Sequence, residues 1–170
     1  MTIGRLISLL LFSWVLISCE EKPNSRIQRK NFDISRLKKV AGQRLILLGV
    51  CLEKMDLSRF DLSEANLSKA NLSKSVLSEA NLSWSDLSGA DLQGVFAVKT
   101  NFSAASLSGA NLRGAALTGS DLRHANLTGA NLTNANLNGA DLTFADLTGA
   151  VTDGIMLEGA KIDGVKGCEK

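Results

Sequence analysis

From Asp56 to Ala150 the chain is written in five-residue units with no insertion or deletion. Read from Asp61, the units run DLSEA NLSKA NLSKS VLSEA NLSWS DLSGA DLQGV, then FAVKT NFSAA SLSGA NLRGA ALTGS DLRHA NLTGA and onward. Every fifth residue from Leu57 to Leu147 is central to a unit; of these nineteen, eighteen are Leu or Phe and the exception is Ala97. Two residues before most of them stands a small side chain, such as Ala65, Ala70, Ser75 or Ala80.

A period of five excludes both regular elements. A helix turns about 100° per residue, so leucines five apart would wander over all its sides. A strand alternates strictly, whereas the inward steps here run +2, +3, +2, +3. The consistent solution is a short extended piece with the small residue and the Leu inward and the Asn or Asp between them outward. A bend follows, made by pairs such as Ser88-Gly89 or Thr148-Gly149. Repeated bends wind the chain into coils, which stack through backbone hydrogen bonds at roughly 4.8 Å.

Ala65-Asn66-Leu67, Ala90-Asp91-Leu92, Ala130-Asn131-Leu132 and Ala140-Asp141-Leu142 resemble the A-(D/N)-L-x-x pattern of the pentapeptide-repeat family. The resemblance implies an all-β solenoid, a right-handed, four-sided parallel β-helix with four units per coil. In such a rod the Leu column is the core, each buried Leu contributing roughly 1.5–3 kcal/mol. Small residues stand where larger ones would overpack. Composition agrees: with six Phe, two Trp and no Tyr, the interior must be built from Leu and Ala.

The N-terminus reads as an address. Met1 to Cys19 carries one charge, Arg5, before an apolar stretch from Leu6 to Ile17. That stretch is too short to span a hydrocarbon core of about 30 Å as a helix, and it suits a secretory signal. Leu16-Ile17-Ser18-Cys19 resembles the bacterial lipobox, which implies a signal peptide over 1–18 and lipid attachment at Cys19. The expected location is therefore the bacterial cell envelope, lipid-anchored, with Glu20 after the Cys favouring the outer over the inner membrane. A basic linker spans 19–32. A capping helix is expected over 33–42, with Asp33 as N-cap, Ile34 and Leu37 on one face and Gly42 beyond its end. The β-helix is expected over 43–166, since Leu45, Leu47, Val50 and Leu52 already share its register, and 167–170 form a tail.

With twenty residues per coil, positions twenty apart stack. One outward column reads Asp56, Val76, Phe96, Ala116, Asn136, Met156, an apolar stripe at its middle with Val98 beside Phe96. Phe96 or Val98 either turns inward to fill the space left by Ala97 or forms a contact surface. The next face carries Glu64, Trp84, Ala104, His124, Phe144, Gly164 in one column, a stacking platform for a glycan, peptide or partner protein. The expected interaction surface is thus Val76, Phe96 and Val98 together with Trp84, His124 and Phe144.

Catalysis has little to stand on, and no cofactor or metal is expected. There is one His, and Asp121 and Asp141 recur because the repeat accepts Asp or Asn there. A convex rod offers no pocket to shift a pKa. Cys51 and Cys168 lie almost six coils apart, roughly 28 Å at 4.8 Å per coil, too far to pair within one chain. Cys168 on its tail is better placed for an intermolecular disulfide. The rod's ends either meet in a homodimer or are kept apart by Lys161, Lys166 and Lys170.

Two functions follow. The first is a non-enzymatic envelope lipoprotein acting as spacer or protein-interaction scaffold, with the membrane as one partner through its anchor. The alternative is the DNA-mimic role of the gyrase- and topoisomerase-binding members of the family, which are cytoplasmic and strongly acidic. From Leu45 to Lys166 there are nine Lys and Arg against thirteen Asp and Glu, while Glu20 to Arg44 is net +5. A body of net −4, broken by Lys69, Lys74, Lys99, Arg113 and Arg123, mimics a phosphate backbone weakly. Nucleic acid itself is not expected as a partner.

Overall fold

The computed structural model describes residues 44–167. The expected signal peptide, linker with Cys19 and capping helix, and Cys168, lie outside the described residues. Within them the chain winds as a right-handed, four-sided parallel β-helix. Every fifth residue, beginning with Ile46, pairs in parallel with the residue twenty ahead, from Ile46↔Asn66 to Asp146↔Lys166. Twenty residues divided into units of five make the four sides.

Each position of the unit has a separable task. The N–H of the central residue donates to the next coil, as Leu67 does to Asp86 O at 2.7 Å. The residue before it donates to the previous coil, as Asn66 does to Leu45 O at 2.8 Å. The corner is a turn closed by Ala70 N–H on Leu67 O at 3.0 Å. Its third residue, Lys69, takes a φ of 58°, the left-handed geometry of a type II turn. Glycine suits this position, and Gly129 holds it at 65°. The Asx residue fixes the same corner from its side chain. Asn66 Oδ1 accepts from Ser68 N at 3.1 Å and from Ser68 Oγ at 2.6 Å. Asx followed two residues later by Ser or Thr is therefore turn chemistry, a local competitor that here sets the bend.

The interior is the expected one: Leu and Ala from Leu47 to Leu147 are buried, with Phe102 the largest fully enclosed side chain. The register begins as expected too, with Leu47, Val50 and Leu52 buried. Where Ser replaces the small Ala, the hydroxyls of Ser85 and Ser120 donate to Leu82 O and Leu117 O, both at 2.7 Å. Among the described residues nothing stacks on the last coil, where Leu157 is 39% and Ile162 56% exposed.

Ala97 is buried, and Phe96 is 55% exposed. The Phe96 side chain thus points outward, and Val98 is half-buried beside it on the surface. Larger buried side chains stand close to Ala97 in its own coil. Val95 and Thr100 are larger than the usual Ala, Phe102 is larger than the usual Leu, and all three are buried. Thr100 Oγ1 donates to the carbonyl of Leu77, the residue stacked on Ala97, at 2.7 Å. Larger side chains at three inward positions of the coil thus accompany the small one at Ala97.

Candidate interaction surface

Two exposed groups survive on the outside of the rod. Val76, Phe96 and Ala116 pair successively along one side, so the apolar stripe is continuous over three coils. On the next side Trp84 is 69% and Phe144 58% exposed. His124 and Phe144 stack with ring centroids 5.3 Å apart and planes 19° from parallel. Trp84, His124 and Phe144 have nearly equal φ values of 61°, 57° and 60°. Their Cα–Cβ bonds consequently leave the backbone in one direction. Left-handed φ costs a residue with a Cβ roughly 1–2 kcal/mol.

Side chains at this corner lie over the coil that follows. A Cβ added to Gly164 would sit 2.5 Å from Phe144 Cδ1 and 2.6 Å from Cε1. The same seating places Lys69 Cγ 3.8 Å from such a Cβ on Gly89 and Lys99 Cγ 3.6 Å from one on Gly119. A long corner side chain thus leans over a glycine twenty positions later, as Phe144 does over Gly164, whereas His124 is followed by Phe144 and stacks on its ring. Column reading of the sequence names these residues but does not reveal the overlap.

The polar groups beside the column are partly committed. Asn101 Nδ2 donates to Asn81 Oδ1 at 3.1 Å, and Asn81 Nδ2 to Asp61 Oδ1 at 3.3 Å. Arg123 holds Asp121 through two bonds, 2.9 and 2.6 Å. That hydrogen bonding keeps the Asp121 carboxyl below the usual carboxylate range. The Thr143 hydroxyl, then Lys161, does the same for Asp141. Asp56 and Asp146 are lowered chiefly by the hydroxyls of Ser58 and Thr148. A carboxyl whose pKa falls on folding stabilises the fold above its unfolded value and loses that contribution as pH falls through the folded one. The melting temperature should therefore hold from pH 7 to about 5 and decline below about pH 4. Asp146→Asn keeps the oxygen that accepts from Thr148 and should flatten part of that decline; an unchanged acid limb would reject the assignment.

Among the described residues no three His, Cys, Asp or Glu are grouped to hold a metal ion. Cys51 is half-buried and disulfide-bonded, so it supplies no thiolate. No described helix is long and apolar enough to cross a membrane.

A family model described as pentapeptide repeats matches residues 56–94, 85–123 and 117–151. The chain belongs to the pentapeptide-repeat family. Solved pentapeptide-repeat proteins are similar to it over most of its length. HetL of the cyanobacterium Nostoc sp. strain PCC 7120, involved in heterocyst differentiation regulation, is 26% identical over 72% of this chain and 76% of its own, with a TM-score of 0.43. A pentapeptide-repeat protein of the Arabidopsis thaliana thylakoid lumen is 30% identical over 67% and 66%, TM-score 0.48. Rfr23 of the cyanobacterium Cyanothece 51142 is 33% identical over 71% and 90%, TM-score 0.41. No curated protein matches the chain. Pentapeptide-repeat proteins are generally structural or interaction proteins, which directs attention to the outer faces rather than to a pocket.

Proposed function

We propose that this pentapeptide-repeat protein is a non-enzymatic envelope lipoprotein whose solenoid serves as a spacer or protein-interaction scaffold. The observation that carries the reading is Leu16-Ile17-Ser18-Cys19 at the end of a short apolar stretch that begins after a single positive charge. A thioether-linked lipid on Cys19, with the basic segment that follows, holds the rod near anionic headgroups. The rod's rigidity comes from stacked coils, each supported by its neighbours, and suits a spacer. Its interaction surface is formed by Val76, Phe96 and Val98 on one side and by Trp84, His124 and Phe144 on the next.

Metabolic palmitate labelling with membrane fractionation tests this. The wild type should be labelled and sediment with membranes, and Cys19→Ser should lose the label and the membrane association together. An unlabelled cytoplasmic product would return the reading to a DNA mimic. A mature chain with the Cys19 sulfur bridged to Cys51 would also defeat the anchor, since a thioether sulfur cannot form a disulfide.

A further inference from the structure

We propose that Asn138-Gly139 is a deamidation site held closed by the last described coil, 148–167, so that unwinding of that coil is recorded as a permanent change in the chain. The inference does not depend on the lipid anchor or on the column of rings.

Reactivity is the first argument. Asn138-Gly139 is the one Asn-Gly pair in the sequence. The backbone nitrogen that follows an Asn can attack that residue's side-chain carbonyl carbon, and glycine, having no Cβ, hinders the attack least. Gly139 is exposed and Asn138 half-buried, so water reaches the pair. In the reaction the bond from Gly139 N to Asn138 Cγ forms and the Asn138 Cγ–Nδ2 bond breaks. The side-chain nitrogen leaves as ammonia, taking the Gly139 amide proton. Water then opens the succinimide ring to Asp or to isoaspartate.

The restraint on the pair is the second argument. Both reacting groups are held by one residue of the last coil. Asn138 Oδ1 accepts from Glu158 N–H at 2.9 Å, and Gly139 N–H donates to Glu158 O at 2.8 Å. The attacking nitrogen is thus committed to the ladder, and the side chain it would attack is turned forward onto the next coil. The corner is closed by Ala140 N–H on Leu137 O at 2.9 Å, with Gly139 at a φ of 67°. Asn138 is the first central residue of this type II turn, where ψ is about +120° and carries the next nitrogen away from the residue's own side chain. An amide stands here for a reason. In most units an Asx oxygen accepts the backbone N–H two residues on, as Asn136 does from Asn138 at 3.0 Å. Met156 occupies the Asx position of the Glu158 unit, and Asn138 supplies the missing acceptor from the coil before.

The exposure of the last coil is the third argument. An interior coil is bonded on both sides, whereas among the described residues this one has a neighbour on one side only. Its Val151, Met156, Leu157 and Ile162 are all exposed. A repeat with one neighbour opens at a lower free energy than a repeat with two. Opening frees the Gly139 nitrogen and the Asn138 side chain together. Isoaspartate then adds a methylene to the main chain between 138 and 139, which moves Gly139 out of line with Glu158 and stops the coil from rewinding in register.

Full-length protein incubated in mildly alkaline buffer, then followed by peptide mapping in a mass spectrometer and by enzymatic isoaspartate methylation, tests this. Asn138 should convert at least tenfold faster in urea than in the folded protein, mainly to isoaspartate, and Asn138→Ser should remove the product. Glu158→Pro should raise the folded-state rate at least threefold, because proline suits the first central position of a type II turn but has no N–H for Asn138. Leu157→Asp, which loosens the last coil, should raise it at least tenfold. Ser58→Ala, towards the other end of the same column, should leave it unchanged. Protein aged to full conversion should melt at a lower temperature than Asn138→Asp, which carries the charge without the added methylene. Circular dichroism checks the fold of each variant, and if Leu157→Asp unfolds outright, Glu158→Pro alone decides. Equal rates in folded and urea-unfolded chain, no product at 138 in urea, or a folded-state rate unmoved by Glu158→Pro would each overturn the proposal. Equal acceleration by Ser58→Ala, or aged protein melting with Asn138→Asp, would also overturn it. Loss of membrane anchoring in Cys19→Ser leaves these results untouched, so the two readings fail separately.

Discussion

Leu127→Asp is expected to abolish the native melting transition of the coils around it, whereas Thr128→Asp should lower the melting temperature by only a few degrees. The two positions are adjacent, and the difference lies in which way each side chain points. Leu127 is fully buried, and its N–H donates to Asp146 O at 2.7 Å. Truncating such a leucine costs about 2–5 kcal/mol through lost transfer energy and the cavity. A carboxylate in its place adds several kcal/mol of desolvation with no partner to offset it. That sum rivals the whole stability of an ordinary domain, roughly 5–15 kcal/mol. Each coil is supported only by its neighbours, so damage should spread outward from 127 and appear as a broadened or split transition. Thr128 is half-buried at the corner, and its hydroxyl donates to Asn126 Oδ1. Asp at 128 loses that bond, about 1 kcal/mol, while the backbone N–H of residue 128 can still reach Asn126. Calorimetric scans of both variants decide the matter, and equal losses would reject the register.

The second large effect is expected at the one irregular unit. Ala97→Leu restores the repeat consensus, yet it should destabilise the protein by about 1–3 kcal/mol through overpacking. Val95, Thr100 and Phe102, larger than the usual residues of their positions, are buried in the same coil, and a leucine at 97 would compete with them for room. Phe102→Leu alone should also destabilise, by opening a cavity. Combined, the two substitutions should cost less than their sum by at least about 0.5 kcal/mol, because each relieves the other. Chemical denaturation of the four proteins in this cycle gives the coupling directly. Strict additivity would show that Phe102 does not share space with residue 97.

These predictions separate what one unit dictates from what four units together dictate. Leu127 inward, Asn126 outward and the bend at Thr128-Gly129 are legible in five residues, because each choice satisfies a local requirement. A side chain must enter the core, a carbonyl oxygen must hold the turn, and the corner needs a positive φ. Phe96 was not legible in that way. Either direction satisfied its own unit; in the structure Phe96 is outside, in register with Val76 and Ala116, while Thr100 and Phe102, reading as minor variants of the repeat, are buried in the same coil.

The candidate surface divides similarly. The column Trp84, Ala104, His124, Phe144 follows from counting in twenties once the coil has four sides. What counting does not contain is the lean of Phe144 onto the coil that follows, where its ring covers Gly164. Nor does it show that the hydroxyls of Ser83 and Ser103 differ from those of Ser68 and Ser88, although all are serines at the same position. Such distinctions arise between residues twenty apart or between a side chain and its own bend, and sequence spacing is blind to both.

By itself, then, the sequence determined the period, the register and the composition of the core, since a +2, +3 alternation of inward residues admits only a coil with regularly spaced corners. The tertiary structure decided how the exceptions were absorbed: Phe96 outside, Ala97 buried with larger neighbours in its own coil, Phe144 seated over Gly164 with His124 stacked on it. The physical reason is that packing volume and surface exposure belong to a stack of coils, which exists only after residues twenty apart have been brought within one hydrogen bond of each other.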